Sequence, residues 1–363
     1  MQNREYWICW QLLMPGAGRR VWEIINYFGS PEQAWQASQN RLAAIPLLGR
    51  EGARRLVKRR ESLQYHRLLS YLEKINCQII TIADSGYPPL LKAIYDPPPA
   101  LFVRGHLPDV EQAALAIVGS RRPTPYGLAA AESFAAELAG TGLTIVSGMA
   151  RGIDSAAHHG ALRTGCTIAV LGCGPDVVYP RENERLMKQI MEKGAVLTEY
   201  PPGTVPQPWH FPSRNRIISG LSRGVLVVEA AAKSGALITA DLALEQGREV
   251  MAVPGNINSN LSAGTNLLIR QGARLVTRPA DVCEELGLGD LSLGQAPKSL
   301  AAYDLTGLEI KVLHALTHLP QSMEEIVAAC RLEAGQVAAA LTVLELRGLA
   351  RMLPGKMYAA AGL

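Results

Sequence analysis

The residues best suited to chemistry lie between positions 211 and 256, where an Arg214-Asn215-Arg216 cluster precedes a predicted buried strand at Val225–Val228. A Ser234-Gly235 turn, a predicted helix and a second predicted strand at Val250–Val253 follow. Because open parallel sheets form their binding crevices at the carboxyl ends of strands, we expect these polar residues to line one site. Guanidinium groups beside glycine turns suit phosphate oxygens. No obvious nucleophile, metal-ligand set or acid pair accompanies them, which favours binding a polyanion over converting it.

Three more loops at predicted strand ends have the same character, and each contains glycine beside polar residues. They are Gly119-Ser120-Arg121, Ser147-Gly148, and a Gly172–Gly174 turn with Arg181 beyond it. Phe211 lies three residues before the arginine cluster, where its ring could stack a base while the cations hold the backbone. The predicted binding residues are Gly119, Ser120, Arg121, Ser147, Gly148, Arg181, Phe211, Arg214, Asn215, Arg216, Lys233, Ser234 and Gly235.

Motifs for nucleotide cofactors and catalysis are weak in this chain. No GxxxxGK[ST] sequence occurs, and the Gly172–Gly174 turn lacks the third glycine of the dinucleotide-binding fingerprint. Glu229 and Glu245 are the best acid pair on offer, and His158 and His159 are interpreted as a helix face among alanines. We therefore predict no catalytic residues, no metal and no cofactor.

The elements that position these loops alternate between short β-branched strands and helices, which predicts βαβ units and a mostly parallel sheet. The predicted core is Rossmann-like α/β, with further strands at residues 77–82 and 100–103 before it. The predicted core strands are 115–118, 143–146, 168–171, 196–198, 225–228, 250–253 and 274–276, and the predicted helices are 126–139, 155–163, 183–193, 236–246 and 265–271.

The domain prediction has four parts: a helical module at residues 1–66, the core at 67–287, a linker at 288–299 and a winged-helix-like domain at 300–363. Residues 13–20 and 45–55 both read as an apolar-Pro-Gly turn that leads into an arginine-rich helix. This pattern favours a helix-hairpin-helix or SAM-like module whose turn N–H groups contact phosphate. A small helical bundle with ordinary turns explains it equally well.

Charge and cysteine content indicate where the protein works. Residues 1–66 contain ten Lys and Arg against five Asp and Glu, whereas the formal net charge of the whole chain is only +4. The basic excess therefore lies in the N-terminal module. The six cysteines form no CxxC pair, which fits reduced thiols. With no secretion signal and no apolar run of membrane-spanning length, we expect a soluble cytoplasmic protein.

The core motifs are similar to those of one known family. GSR at Gly119–Arg121, SGMARGID at Ser147–Asp154, YPREN at Tyr179–Asn183 and the long segment from Glu199 to Gly255 resemble the DNA-processing protein A family, DprA/Smf. The likeness spans roughly residues 80–285, and the terminal modules resemble those of longer members. It implies pocket roles for Arg121, Arg181, Phe211 and the arginine cluster. Several members have lysine where this chain has Pro208, so one phosphate contact is absent or comes from elsewhere, for instance Lys233.

The resemblance also implies a function. Members are non-enzymatic, bind single-stranded DNA, assist loading of the recombinase RecA, protect incoming DNA during natural transformation, and act as dimers or higher assemblies. The main alternative is a phosphoribohydrolase of the lysine-decarboxylase-like family. Such enzymes have a PGG-x-GT-x-x-E motif after the strand equivalent to Val225–Val228, and this chain has EAAAKSGALITADLALE there. The third possibility is an adaptor or scaffold with incidental nucleic-acid affinity.

The predicted winged helix differs from a module that reads duplex sequence. Its second helix should present basic and amide side chains to DNA. Residues 334–347 offer only Gln336, Thr342, Glu345 and Arg347 among many alanines. We therefore expect this domain to contact protein or to be structural.

Overall fold

A central nine-stranded sheet organises the larger part of the molecule. The computed structural model describes residues 3–288, 305–317, 320–353 and 355–360. Contacts divide the chain into two units, residues 1–289 and residues 290–363. The strands of the sheet are β1 (Cys77–Thr81), β2 (Ala100–Gly105), β3 (Ala114–Val118), β4 (Thr144–Ser147), β5 (Thr167–Val170), β6 (Ala195–Thr198), β7 (Gly224–Val227), β8 (Glu249–Ala252) and β9 (Arg274–Leu275).

The strand order is β1-β2-β6-β5-β4-β3-β7-β8-β9. The seven strands from β6 to β9 run parallel, and β1 and β2 are added antiparallel at one edge. After β3 the chain builds toward β6 on one side, and then returns to place β7 on the other side of β3. The order thus reverses between β3 and β7, which is where open α/β sheets form a ligand crevice. The predicted Rossmann-like, mostly parallel sheet is confirmed.

Helices cover both faces of this sheet. In the first unit they are α1 (Asn3–Leu13), α2 (Gly18–Phe28), α3 (Pro31–Gln36), α4 (Gln39–Ala43), α5 (Gly49–Glu61), α6 (Tyr65–Lys74), α7 (Pro89–Lys92), α8 (Pro125–Gly140), α9 (Ile153–Thr164), α10 (Glu184–Lys193), α11 (His210–Gly220), α12 (Gly235–Glu245), α13 (Ala263–Arg270) and α14 (Pro279–Glu285). Strand β3 shows how the faces divide. Its Leu115 and Ile117 pack in the core beneath α8, α9 and α14, whereas Ala116 and Val118 face the core shared with α1, α2, α11 and α12. This alternation is the period of two expected for a strand.

Helix α11 was not predicted from the sequence. Pro206, Pro208 and Pro212 surround its start, and such a density of proline normally indicates a loop. Pro212 is tolerated because it lies in the first turn, where a helix has no intrahelical partner for its N–H groups. As a result, Phe211 and Arg214 stand three positions apart on one face of a helix, whereas Arg216 points away from Arg214.

The two hairpin-like turns of the N-terminal helices have different surroundings. The first, between α1 and α2, packs on the core: a Cβ at Gly16 would lie 2.9 Å from the Tyr200 hydroxyl, and one at Gly18 would lie 2.8 Å from the Asp96 carbonyl oxygen. Its glycines therefore serve close packing. The second, between α4 and α5, leads to Gly49, which has a positive φ of 56° and where an added Cβ would meet nothing within 4 Å. Only this second turn has room for a ligand.

The second unit has a winged-helix arrangement with its own core. Its elements are α15 (Gly307–Ala315), β10 (Gln321–Ser322), α16 (Met323–Cys330), α17 (Ala334–Leu346), β11 (Ala350–Leu353) and β12 (Met357–Ala360). Strand β12 pairs with both β10 and β11. The winged helix is confirmed, while the predicted linker, apart from Leu288, and Pro354, between β11 and β12, lie outside the described residues.

The helices of the described part of the chain include none that is long and apolar enough to cross a bilayer by itself. Only α16 and α17 together satisfy the length and composition criteria, and they are bent by 106° to each other.

Candidate nucleic-acid interface

A concave pocket that opens to solvent lies at the carboxyl ends of β3, β4 and β5, beside the first turns of α11. Loops from three strands and one helix therefore meet at it, as the parallel sheet predicts. Its lining residues are Arg121, Gly148, Ala150, Arg151, Leu171, Gly172, Cys173, Tyr179, Pro180, Phe211 and Arg214. Four of the predicted binding residues, namely Arg121, Gly148, Phe211 and Arg214, are thus brought together.

Arg121, Phe211 and Tyr179 form a layered cluster on the pocket wall. The guanidinium carbon of Arg121 lies 5.4 Å from the centroid of the Phe211 ring, and the Phe211 and Tyr179 rings are 5.3 Å apart at 33°. Phe211 also contacts Gly172 closely, because a Cβ there would lie 3.0 Å from its ring. Arg121 is exposed, whereas Phe211 is half-buried. The cluster therefore combines a charged group over one aromatic ring with a second ring next to it.

Arg214 forms the floor of the pocket and is only 3% exposed. Its Nη1 donates to the carbonyl oxygen of Gly148 at 2.9 Å and to that of Val170. Burial lowers the pKa of Arg214 to about 10, and the nearby Asp154 opposes that shift. The side chain remains cationic at neutral pH and joins the ends of β4 and β5, so its first role is to hold the pocket's shape.

The loop after β4 is built around Asp154. Its carboxylate accepts the N–H groups of Gly148 at 3.1 Å and Ala150 at 3.3 Å, and burial raises its pKa. Asp154 lies within the first turn of α9 and holds this loop from there. Gly148 is required here, because a Cβ would lie 2.5 Å from Nη2 of Arg214 and 2.6 Å from the carboxylate of Asp154.

Arg216 does not reach this pocket. Its guanidinium makes a bidentate pair with Glu199 at 2.8 and 2.9 Å and a further ion pair with Asp96 at 2.9 Å, and the residue is 6% exposed. Burial alone would lower its pKa, but the two carboxylates raise it above the ordinary value. The expectation that both arginines of the cluster face one site is corrected: residues 214 and 216 are two positions apart on a helix, about 200° around its axis.

Two of the predicted serines also make structural hydrogen bonds and do not line the pocket. The Ser147 hydroxyl is fully buried and donates to the Ile117 carbonyl oxygen at 2.6 Å, joining β4 to β3. The Ser120 hydroxyl accepts the Arg122 N–H at 3.1 Å and shapes the loop that presents Arg121. Gly119 allows that loop to approach α9, because a Cβ there would lie 2.7 Å from Ile153.

A second group of predicted residues surrounds the start of α12, on the other side of the reversal in strand order. Ser234 caps α12 by accepting the Ala236 N–H at 3.3 Å. The Asn215 amide donates to the Gly235 carbonyl oxygen at 3.4 Å and so links α11 to this turn. Lys233 and Gly235 are exposed. These residues lie beside the pocket rather than among its lining residues.

Arg181 is exposed and follows the pocket residue Pro180, so it lies at the rim. Seven of the eleven lining residues were not predicted, and Arg151 and Tyr179 are the two of these with large polar side chains. Arg151 is exposed and pairs with Glu182, which raises its pKa through a hydrogen bond. Both missed residues stand in motifs at strand ends, and that position was the signal that could have identified them.

The residues that were considered for catalysis are not brought together in one site. Glu229 is buried and accepts the Thr124 N–H at 2.7 Å and hydroxyl at 2.8 Å, whereas Glu245 is the last residue of α12, a helix roughly 15 Å long. His158 is buried, with its Nδ1 2.7 Å from the Thr167 hydroxyl. Burial raises the pKa of the pocket thiol Cys173 to about 12, so it is not a thiolate nucleophile at neutral pH.

The described residues offer neither a metal-binding cluster nor a disulfide. Within the described ranges no group of three or more His, Cys, Asp or Glu side chains is placed to hold a metal ion. All six cysteines, each in a described segment, are unpaired.

Comparison with known proteins identifies the family. The profile described as "DNA recombination-mediator protein A" matches residues 78–287, and the "DprA winged helix domain" matches residues 296–356. The chain is 35% identical to Protein Smf of Synechocystis sp., with 99% of each chain covered, and 41% identical to Protein Smf of Escherichia coli, with 88% of each covered.

Solved structures agree with this assignment. The X-ray structure of DNA processing protein A from Streptococcus pneumoniae is similar at a TM-score of 0.68 and 37% identity, covering 78% of this chain and 98% of that one. DNA processing protein A from Helicobacter pylori, whose structure is described for its single-stranded DNA binding mode, is similar at 0.53 and 32%, covering 58% and 96%. Fold, motif order and overall similarity agree: this chain belongs to the DNA recombination-mediator protein A family, DprA/Smf.

Proposed function

We propose that this protein binds single-stranded DNA through the pocket at the ends of β3, β4 and β5, without converting it chemically. The observation that carries the proposal is the cluster of Arg121, Phe211 and Tyr179. An exposed guanidinium beside an aromatic ring suits one nucleotide, with the phosphate on the cation and the base on the ring. The Helicobacter pylori relative, described as binding single-stranded DNA, supports the same ligand class.

A single strand fits this site better than a duplex. Stacking on Phe211 requires a base whose face is free, and a paired base inside a helix does not offer one. The pocket is concave and is built from strand-end loops, and it does not project a helix toward a groove. Its cations include Arg121 and Arg151, so the affinity should depend on salt, yet only a few phosphates are neutralised.

The biological setting follows from the family. We infer that the strand-bound protein assists loading of the recombinase RecA and protects DNA taken up during natural transformation, in the cytoplasm. We also infer a homodimer or a higher assembly. Two linked pockets on one strand would raise avidity without any new type of contact, which suits a chain with a formal net charge of only +4.

A hydrolase acting on nucleoside monophosphates is the competing function. Such an enzyme needs an activated group near the bound sugar. Burial keeps the pocket residue Cys173 as a thiol, and the Glu229 carboxylate, outside the pocket lining, is already bonded to Thr124. Incubation with each nucleoside monophosphate, followed by chromatography for free base, tests this reading. Release of base at a rate proportional to protein concentration would contradict the proposal of a non-catalytic protein.

The binding proposal is tested by fluorescence anisotropy with labelled single-stranded and duplex oligonucleotides of one sequence. We expect the full-length protein to prefer the single strand. Phe211→Leu keeps apolar volume but removes the ring, and should weaken single-strand binding roughly 5- to 150-fold, the usual range for loss of one stacked base. Equal affinity for duplex, or unchanged binding in Phe211→Leu, would contradict it. RecA loading is tested separately, by RecA filament formation on strands coated with single-strand-binding protein.

A further inference from the structure

The strongest unexplained surface feature near the pocket is Trp209, which is 67% exposed. The other four tryptophans lie in the N-terminal helices, where Trp7 and Trp10 are buried and Trp22 and Trp35 are partly buried. A large aromatic ring in water gives up the stabilisation that burial would provide. Exposed tryptophan of this kind is typical of a contact surface, because the ring gives much contact area for little loss of conformational freedom.

Trp209 is held in a defined position. It is the N-cap of α11, and its ring meets the ring of His210 edge-on, with centroids 5.9 Å apart. His210 stacks on Tyr200 at 4.1 Å, and its Nδ1 lies 3.0 Å from the carbonyl oxygen of Gly172, a pocket-lining residue. The support beneath Trp209 is therefore anchored to the pocket wall.

Trp209 is also close to the proposed base-stacking residue. It precedes Phe211 by two positions, so the two side chains leave the helix in different directions, and the link between them is His210, whose Cβ would lie 3.5 Å from a Cβ at Gly172. Trp209 is nevertheless outside the pocket lining. A strand that leaves the pocket past Gly172 and His210 would meet the indole ring next.

The chemistry around Trp209 restricts what it can bind. Residues 203–213 contain no Asp, Glu, Lys or Arg, and Val205 is another exposed apolar side chain of this segment. The charged group that contacts the start of this segment is the Asp176 carboxylate, which accepts the Gly203 N–H at 2.8 Å, so recognition here comes from ring contact without phosphate neutralisation. Since every base has a π-face, an indole beside a phosphate-binding pocket suits a base of the same strand.

We propose that Trp209 is a second base-stacking platform, so that the site takes at least two consecutive nucleotides of one strand. This rests on the proposed single-strand binding. Its contribution to affinity should be independent of salt, because no ion is released when an uncharged ring binds a base. Stacking on this platform would also offset the phosphate contact that is missing at Pro208.

The test uses the intrinsic fluorescence of the full-length protein titrated with thymidine oligonucleotides, together with anisotropy. We expect quenching in the wild type that is absent in Trp209→Leu, and a roughly 5- to 150-fold loss of affinity in that variant with an unchanged salt slope. Trp209→Phe keeps a ring and should retain most of the affinity. Tyr95→Leu, which removes an exposed aromatic outside the pocket, should bind like the wild type.

The outcomes separate this inference from the proposed function. If Phe211→Leu loses affinity but Trp209→Leu does not, the platform is overturned while strand binding stands. If neither the wild type nor the variants bind single strands, the proposed function fails and the platform with it. If Trp209→Leu lowers the mass seen by light scattering and leaves oligonucleotide affinity intact, Trp209 belongs to a contact between protein copies, and the platform is again overturned.

Discussion

The guanidinium carbon of Arg121, in the loop after β3, lies 5.4 Å from the centroid of the Phe211 ring on helix α11, although three strands separate the two residues in the sequence. In the proposed binding mode, this contact fixes the distance between the phosphate ligand and the base-stacking ring before any strand arrives. Such preorganisation reduces the ordering cost of binding. It depends on the loop after β3, which Glu229 holds through Thr124.

Gly148→Ala should damage the pocket, and Gly235→Ala should not. The methyl group at residue 148 would lie 2.5 Å from Arg214 and 2.6 Å from Asp154, so we expect a loss of about 1–3 kcal/mol of stability and weaker strand binding. Gly235, at the start of α12, has nothing within 4 Å of a Cβ. Urea unfolding and anisotropy measure both effects. Equal behaviour of the two variants would contradict the packing described for the loop after β4.

Arg216→Met should destabilise the fold, because it leaves Glu199 and Asp96 without their cation. Removing one partner of a buried ion pair typically costs about 3–5 kcal/mol. Adding Glu199→Gln to this variant should recover part of the loss, since the uncompensated charge is then removed. Unfolding by urea gives both values. A variant with wild-type stability but reduced strand affinity would instead make Arg216 a DNA ligand.

His158 should make stability fall as the solution is acidified. Burial lowers its pKa to about 3 from an ordinary 6.5. Below pH 6.5 the unfolded chain therefore binds one more proton than the folded protein, and this group removes about 1.4 kcal/mol of stability per pH unit, down to about pH 3. His158→Gln should show a shallower decline between pH 6.5 and 4.5 in urea titrations. His159→Gln, at the exposed neighbouring position, is the control. Parallel profiles for the wild type and His158→Gln would refute this assignment.

Deleting residues 298–363 should leave most of the single-strand affinity intact. The exposed positions of α17 include Gln336, Thr342 and Glu345, and Leu346 is 84% exposed, so this surface has little to offer phosphate. Residues 1–289 have their own core and contain the whole pocket. Gel shifts of the truncated and full-length proteins compare the two affinities directly. Disappearance of the shifted band on truncation would show that the C-terminal unit takes part in binding.

Much of the sheet could be predicted because its strands are short, β-branched and separated by helix-length segments. The order of the loops, and therefore the convergence of Arg121, Gly148 and Phe211, follows from parallel topology. Sequence could not reveal that α11 is a helix, because its prolines suggest a loop and only the position of Pro212 in the first turn makes them compatible with one.

The missed helix explains the errors within the site. In a loop, Arg214 and Arg216 could both face a ligand, but on a helix they point to different partners. Which one faces the pocket depends on Glu199 and Asp96, carboxylates distant in sequence that attract Arg216. Similarly, Ser147 at a strand end looks accessible in sequence, yet β3 lies beside it and accepts its hydroxyl. Side-chain direction at these positions is decided by tertiary contacts.

The most direct test of the central claim is the salt dependence of single-strand binding for Arg121→Ala and Arg223→Ala. Both variants lose one exposed positive charge, but Arg223 precedes β7 and so lies at the opposite end of the sheet from the pocket. We predict that Arg121→Ala binds roughly tenfold more weakly or worse, with a plot of log K against log salt less steep by about 0.7, while Arg223→Ala matches the wild type. Wild-type binding by Arg121→Ala, or equal losses in both variants, would contradict the assignment of the DNA site to this pocket.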